Sequence, residues 1–145
     1  MKCNYITIER EYGSGGTEIA RRVAQECGIN CYGPEILEAV SEKYGIPVDR
    51  IQHYEETVRG SFLYTVFVMS QVRAGDDNML PEEGHIFLAE QQEIERLAGN
   101  GPAVFLGHCA AQALKKYPGV VKVFIRAGAE EKKKRITEEY GIPER

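Results

Sequence analysis

The turn Glu9-Arg10-Glu11-Tyr12-Gly13-Ser14-Gly15-Gly16-Thr17 carries most of the chemistry that can be read in this chain. Three glycines within four residues let the backbone take positive φ and turn several N–H groups into one concavity. With a helix N-terminus behind it, such a nest favours an anion, and phosphate is the usual one. Gly13, Ser14, Gly15, Gly16 and Thr17 are therefore the candidate cradle. The strict phosphate-loop pattern is Gly, four residues, then Gly-Lys-Ser/Thr. With Gly15 as the second glycine, Arg10 stands at the first glycine, Gly16 at the lysine, and Thr17 at the hydroxyl that reaches Mg²⁺. Two readings stay open on these residues: a phosphate site, or a tight turn whose glycines only permit close packing of strand on helix. Arg10 either swings back over the phosphates in place of the lysine or pairs with Glu9 or Glu11 at the surface.

Other groups able to handle charge lie far along the chain. Gly107-His108-Cys109 follows the apolar run Ala103 to Leu106, and Arg126 follows Val120 to Ile125. His108 is either a phosphate contact or a partly buried residue capping a helix. Cys109 reads as a packed small apolar side chain, since no oriented base accompanies it. Lys132-Lys133-Lys134-Arg135 is a charge run whose default reading is a solvated helix face, and Arg59 and Arg73 flank a helical stretch where they can meet an acceptor phosphate.

The elements that must position these groups alternate between strand and helix. Cys3 to Ile8 is a nearly continuous run of β-branched and aromatic residues, as a central strand covered on both faces requires. A helix from about Glu18 to Cys27 sets Ile19, Ala20, Val23, Ala24 and Cys27 on one face. Ile29 to Tyr32 predicts a short strand; Glu35 to Lys43 and Val48 to Glu56 predict helices, and Phe62 to Met69 is an apolar stretch favouring helix. Arg73 to Pro81 is the best loop candidate, and a long helix then runs to about Ala98. Ala103 to Gly107 and Val120 to Ile125 read as further buried strands, with helices over Cys109 to Lys116 and Glu130 to Tyr140. Alternation of this kind predicts a parallel α/β sheet, in which ligands bind beyond the carboxyl ends of the strands. That rule gathers the glycine turn, the Gly107-His108-Cys109 corner and Arg126 at one edge.

Composition bounds the rest. A chain of 145 residues, 43% hydrophobic and 28% charged, reads as a single globular domain, with a helical insertion at about 33–78. A net charge of -4 argues against a general nucleic-acid surface but not against a local anion site. Four cysteines without a C-x-x-C pair give neither a disulfide framework nor a metal-ligand set, so a reduced cytoplasmic setting is expected. No apolar run approaches a membrane span, and no signal-peptide pattern opens the chain. The Phe62 to Met69 stretch is core or a homodimer contact.

The string Ile6-Thr7-Ile8-Glu9-Arg10-Glu11-Tyr12-Gly13-Ser14-Gly15-Gly16, with Ile19-Ala20 after it, resembles the opening of the cytidylate kinase-like family. Val104-Phe105-Leu106-Gly107-His108-Cys109-Ala110 is similar to that family's second motif, and Val121 to Ala127 through Arg135 to its third strand and following helix. The resemblance implies a three-layer P-loop kinase fold with a central parallel sheet and a helical acceptor-binding insertion. It implies ATP phosphates on Gly13 to Thr17, Mg²⁺ on the Thr17 hydroxyl, and a small-molecule nucleotide as partner. Lys132 and Arg135, where such kinases begin their lid, become charge stabilisers beside Arg10, and His108 a cofactor contact. The function implied is ATP-dependent phosphoryl transfer to a nucleoside monophosphate or other small phosphate acceptor; the alternative is a catalytically degenerate nucleotide- or anion-binding regulatory protein. The chain departs from the family pattern at Gly16 for the Walker lysine, which the family itself commonly lacks. It departs again at Gly33 for an acceptor-binding Asp and at His108 for an Arg. It reads as ending before the lid and last strand are complete.

Overall fold

The protein is described by a computed structural model, which covers residues 3–52 and 82–142. Contacts divide it into a unit drawn from Met1–Gly33 with Leu97–Arg145 and a second drawn from Pro34–Arg96. The expected helix and loop over 62–69 and 73–81, with Arg59 and Arg73, lie outside the described residues.

The first unit holds a four-stranded sheet, every strand parallel: β1 (Tyr5–Arg10), β2 (Asn30–Tyr32), β3 (Ala103–Leu106) and β4 (Val120–Ile125), in the order β2-β3-β1-β4. β1 is interior, as its apolar run requires, with Ile8 opposite Leu106 on one side and Val123 on the other. It runs two residues past the expected Ile8 because Glu9 and Arg10 pair with Phe124 and Ile125. Helix α1 (Gly16–Cys27) packs its Ala20 and Ala24 against Ile8, Val104 and Leu106, and small residues at this spacing let helix and sheet approach closely. The expected apolar face of α1 is narrower than the sequence suggests, for Ile19 and Cys27 are exposed.

β3 is buried at every residue, and Phe105 is fully buried between the rings of Tyr5 and Tyr32. The reading of Val120 to Ile125 as a buried strand is corrected. Among the described residues β4 pairs on one side only, and Val121, Val123 and Phe124 face solvent. Hydrophobicity predicts a strand, but burial depends on how many neighbours it has.

The second unit contains α2 (Pro34–Tyr44), a helical start at residues 48–52 and most of α3 (Glu82–Ala98), around a core of Leu37, Val40, Ile51, Ile86 and Ala89. In the first unit, the expected helix over Cys109 to Lys116 is a single α-turn, α4 (Ala110–Ala113), followed by turns. The last expected helix is α-helical only over α5 (Ala129–Lys134); Arg135–Glu139 is a π-helical turn in which Tyr140 N–H donates to Arg135 O. No helix among the described residues is long and apolar enough to cross a membrane.

The unequal surroundings of the two phenylalanines give a test of the strand order. Phe105→Ala should cost about 3 to 5 kcal/mol in urea unfolding, and Phe124→Ala no more than about 0.5 kcal/mol. Equal losses would contradict an edge position for β4.

Candidate functional site

Parallel pairing carries the ends of β1, β3 and β4 to one edge, where the glycine turn closes over the start of α1. Gly13 and Gly15 have φ of 79° and 80°, a left-handed geometry that a side chain resists. Gly15 is the N-cap of α1 and no side chain caps the helix, so the first-turn N–H groups, those of Gly16 and Thr17 among them, lack a side-chain acceptor.

Crowding is the second reason for glycine here. A β-carbon at Gly16 would stand 2.6 Å from Arg10 Cβ and 2.9 Å from its Cγ. One at Gly13 would stand 2.9 Å from Ile136 Cγ1 and Cδ1, and one at Gly15 would stand 3.2 Å from Arg135 Cζ. The lysine of the strict pattern is thus excluded by the stem of Arg10, which comes from the position of the pattern's first glycine. Where the strict pattern has glycine and lysine, this chain has Arg10 and Gly16.

Of the residues singled out by sequence, the structure brings Arg10 and Arg135 against the loop. Arg135 Nη1 donates to Gly13 O at 2.7 Å, while its Nε is buried without a hydrogen bond, 3.6 Å from Glu139 Oε2. Ser14 Oγ, within the loop, is also buried without a partner. Two polar atoms at this turn are thus buried without a protein hydrogen bond. Thr17 is half-buried in the first turn of α1.

Lys132 is placed differently from a solvated charge. Its Nζ is 3.0 Å from Glu11 Oε2, which also accepts from Ala127 N–H at 3.3 Å, and Arg126 Nε is 3.6 Å from Glu11 Oε1. Glu11 thereby ties the loop to the segment between β4 and α5. The Lys132 hydrogen bond, then that of Ala127, hold its carboxyl below the usual glutamate value; desolvation opposes them, and the charges of Lys132 and Arg126 add lesser lowering effects.

His108 and Cys109 have φ of 59° and 57°, directly after Gly107 at 73°. Two successive non-glycine residues in the left-handed region are costly, by roughly 1 to 2 kcal/mol each. They are held by Gly107 N–H donating to Ile8 O at 2.9 Å and Cys109 N–H donating to Glu9 Oε1 at 3.2 Å. Strain retained at a sheet edge beside a glycine nest fits a functional corner. Cys109, not His108, is the N-cap of α4, and its side chain makes no capping bond.

Glu9 and Glu11 are the residues that sequence reading undervalued, taking them only as surface partners for Arg10. Their own partners lie 100 and 121 positions away, so no local pattern marks them. At Gly33 a β-carbon would meet Leu106 at an ordinary 3.5 Å, so the absence of Asp there is not imposed by space. Among the described residues no three His, Cys, Asp or Glu side chains gather into a metal cluster.

The Glu11 clasp has an acid signature. A carboxyl with a depressed folded pKa stabilises the fold above its unfolded value of about 4.3 and loses that contribution as pH falls through the folded value. Urea midpoints measured from about pH 6 downward should therefore fall on the acid side, and Glu11→Gln should flatten that part of the curve. An unchanged acid limb in Glu11→Gln would show that the clasp contributes nothing.

A solved structure with the same fold is that of an uncharacterized protein from Eubacterium ventriosum ATCC 27560, with a TM-score of 0.61 at 22% identity. The alignment covers 96% of this chain and 63% of that one, so this chain spans less than two thirds of its length. No curated protein matches the sequence. A family model does, over residues 5–145, and with the parallel sheet and the glycine loop after its interior strand it leads to one conclusion: the chain belongs to the cytidylate kinase-like family.

Proposed function

We propose that this protein is an ATP-dependent phosphotransferase that passes a phosphoryl group to a nucleoside monophosphate or another small phosphate acceptor. The observation that carries the reading is the pair of arginines on the glycine loop, the Arg10 stem over Gly16 and the Arg135 guanidinium beside Gly15. Phosphoryl transfer asks the protein for positioning and positive charge more than for covalent chemistry. The N–H groups of Gly13 to Thr17 hold the phosphates, and α1 adds the favourable end of its dipole. Arg10 supplies the fixed cation that lysine supplies in the strict pattern, and Arg135, already anchored on Gly13 O, approaches from the other side. Arginine presents a planar fork of donors that matches phosphate oxygens, so the substitution keeps the chemistry while changing the direction of approach.

The residues present fit Mg²⁺ held mainly by the nucleotide. No acidic cage is found among the described residues, and Mg²⁺ is commonly bound by substrate phosphates with one or two protein ligands. Thr17 is the residue that would hold it. When bound, the ion neutralises charge gathering on the phosphate oxygens. His108, on the strained corner after β3, lies at the same sheet edge and is the candidate second contact to phosphate.

A coupled phosphotransfer assay with ATP, Mg²⁺ and a panel of nucleoside monophosphates tests the proposal. Turnover is expected with at least one acceptor, and Arg135→Ala should lower it by about 10³-fold or more, the scale of a lost transition-state cation. Gly15→Val, which meets both a positive φ and the Arg135 guanidinium, should abolish phosphate binding. ATP binding without turnover on any acceptor would leave the regulatory, catalytically degenerate reading in its place.

A further inference from the structure

We propose that Glu11 is a positioning residue for phosphate binding: its pairing with Lys132 fixes the helix that carries Arg135, so that the Arg135 guanidinium meets a phosphate chain at the glycine loop. The inference rests on the reading of the loop and Arg135 as a phosphate site and deepens it. Glu11 lies directly after β1 and is tied to three places. Its N–H donates to Ile125 O at 3.0 Å, and its carbonyl accepts from Ser14 N–H at 3.2 Å, which joins the end of β4 to the cradle. Its carboxylate accepts from Ala127 N–H at 3.3 Å and from Lys132 Nζ at 3.0 Å, which joins both to α5.

The basic run Lys132 to Arg135 separates into two kinds of residue. Lys133 and Lys134 are exposed, whereas Lys132 and Arg135 are half-buried. Three positions apart, these two share one helix face, and both are engaged at the loop, Lys132 by Glu11 and Arg135 by Gly13 O at 2.7 Å. Arg126 also approaches Glu11, at 3.6 Å, but its side chain is 78% exposed, and an exposed pair of this length holds little. Glu11 and Lys132, each 28% exposed and joined by a charge-assisted hydrogen bond, are the pair able to fix a position.

That pair is decisive because little else docks the helix. No residue of α5 or of the π-helical turn is buried, and α5 begins at Gly128 without a side-chain cap. Half-buried Ile136 and the ring contact of Tyr12 with Tyr140 supply the apolar part of the contact. Apolar burial on this scale leaves the distance from helix to loop to the polar ties. The approach is close: a β-carbon at Gly13 would stand 3.0 Å from Lys132 O, and one at Gly15 would stand 3.2 Å from Arg135 Cζ. At Gly13 no loop side chain separates the two backbones, so a displacement of the helix carries Arg135 with it.

The possible roles of Glu11 differ in sign. As a bare negative charge two residues before the cradle, it opposes an anion, and its removal would strengthen phosphate binding. As a competitor for Lys132 it has the same effect, since neutralising it frees the ammonium for phosphate. As the residue that positions Arg135 it favours binding, and its removal weakens binding. In that case the loss is confined to proteins that still carry Arg135.

Isothermal titration of the full chain with inorganic tripolyphosphate tests this in wild type, Glu11→Gln, Arg135→Ala and the double variant. Glu11→Gln removes the charge and keeps an acceptor for Ala127 N–H. Arg135→Ala should weaken tripolyphosphate by roughly tenfold or more, and Glu11→Gln by roughly threefold to tenfold. In the Arg135→Ala protein, Glu11→Gln should weaken it no further. Lys132→Met breaks the same pair from the helix side and replaces Glu11→Gln if that variant does not fold; its loss should likewise shrink without Arg135. Unchanged or tighter binding by Glu11→Gln, or equal losses with and without Arg135, would overturn the proposal and leave the phosphate site standing. Arg135→Ala binding as wild type would overturn the proposal and the role of Arg135 while the glycine cradle stands. Wild type that binds no tripolyphosphate would overturn the phosphate reading and the proposal together.

Discussion

At Gly16 the backbone passes so close to the stem of Arg10 that no β-carbon fits. Most of what distinguishes this loop follows from that contact. A phosphate loop needs its backbone amides turned inward and a cation fixed above them. Here a lysine at residue 16 would collide with the strand residue at the loop's entrance, which already fills the space. Arginine at 10 and glycine at 16 are a matched pair, and each makes sense only with the other.

The loop is braced from a second direction by residues late in the chain. Glu11 is held by Lys132, Ala127 N–H and Arg126, and Gly13 O by Arg135. All four partners come from the segment after β4, and β4 is fixed in place by its six-residue register with β1. Sheet pairing therefore sets where the basic groups stand, and the basic groups set the shape of the nest. A carboxylate inside this cluster of cations also offsets their mutual repulsion.

Strand, glycine turn and helix were legible because each has a local cause: β-branched content, positive-φ glycine, and apolar spacing near 3.6 residues. The α/β class followed from the alternation of such segments. What could not be read depends on residues distant in sequence. The exposure of Phe124 is decided by how many strands pair with β4, and the pairing of Glu11 with Lys132 spans 121 positions. The π-helical turn shares the side-chain pattern of an α-helix and differs only in which carbonyl is bonded, so periodicity over Glu130 to Tyr140 gave no sign of it. Gly16 looked like a defect against the strict motif; only the position of the Arg10 stem turns it into a requirement.

The exchange of lysine for arginine is tested most directly by the urea unfolding of Gly16→Lys alone and together with Arg10→Gly. The single variant should lose about 1 to 3 kcal/mol by overpacking, and the double variant, which rebuilds the strict Gly-x-x-x-x-Gly-Lys-Thr pattern, should recover most of it. A Gly16→Lys protein as stable as wild type, or a double variant no better than the single one, would contradict the claim that Arg10 holds the lysine's place.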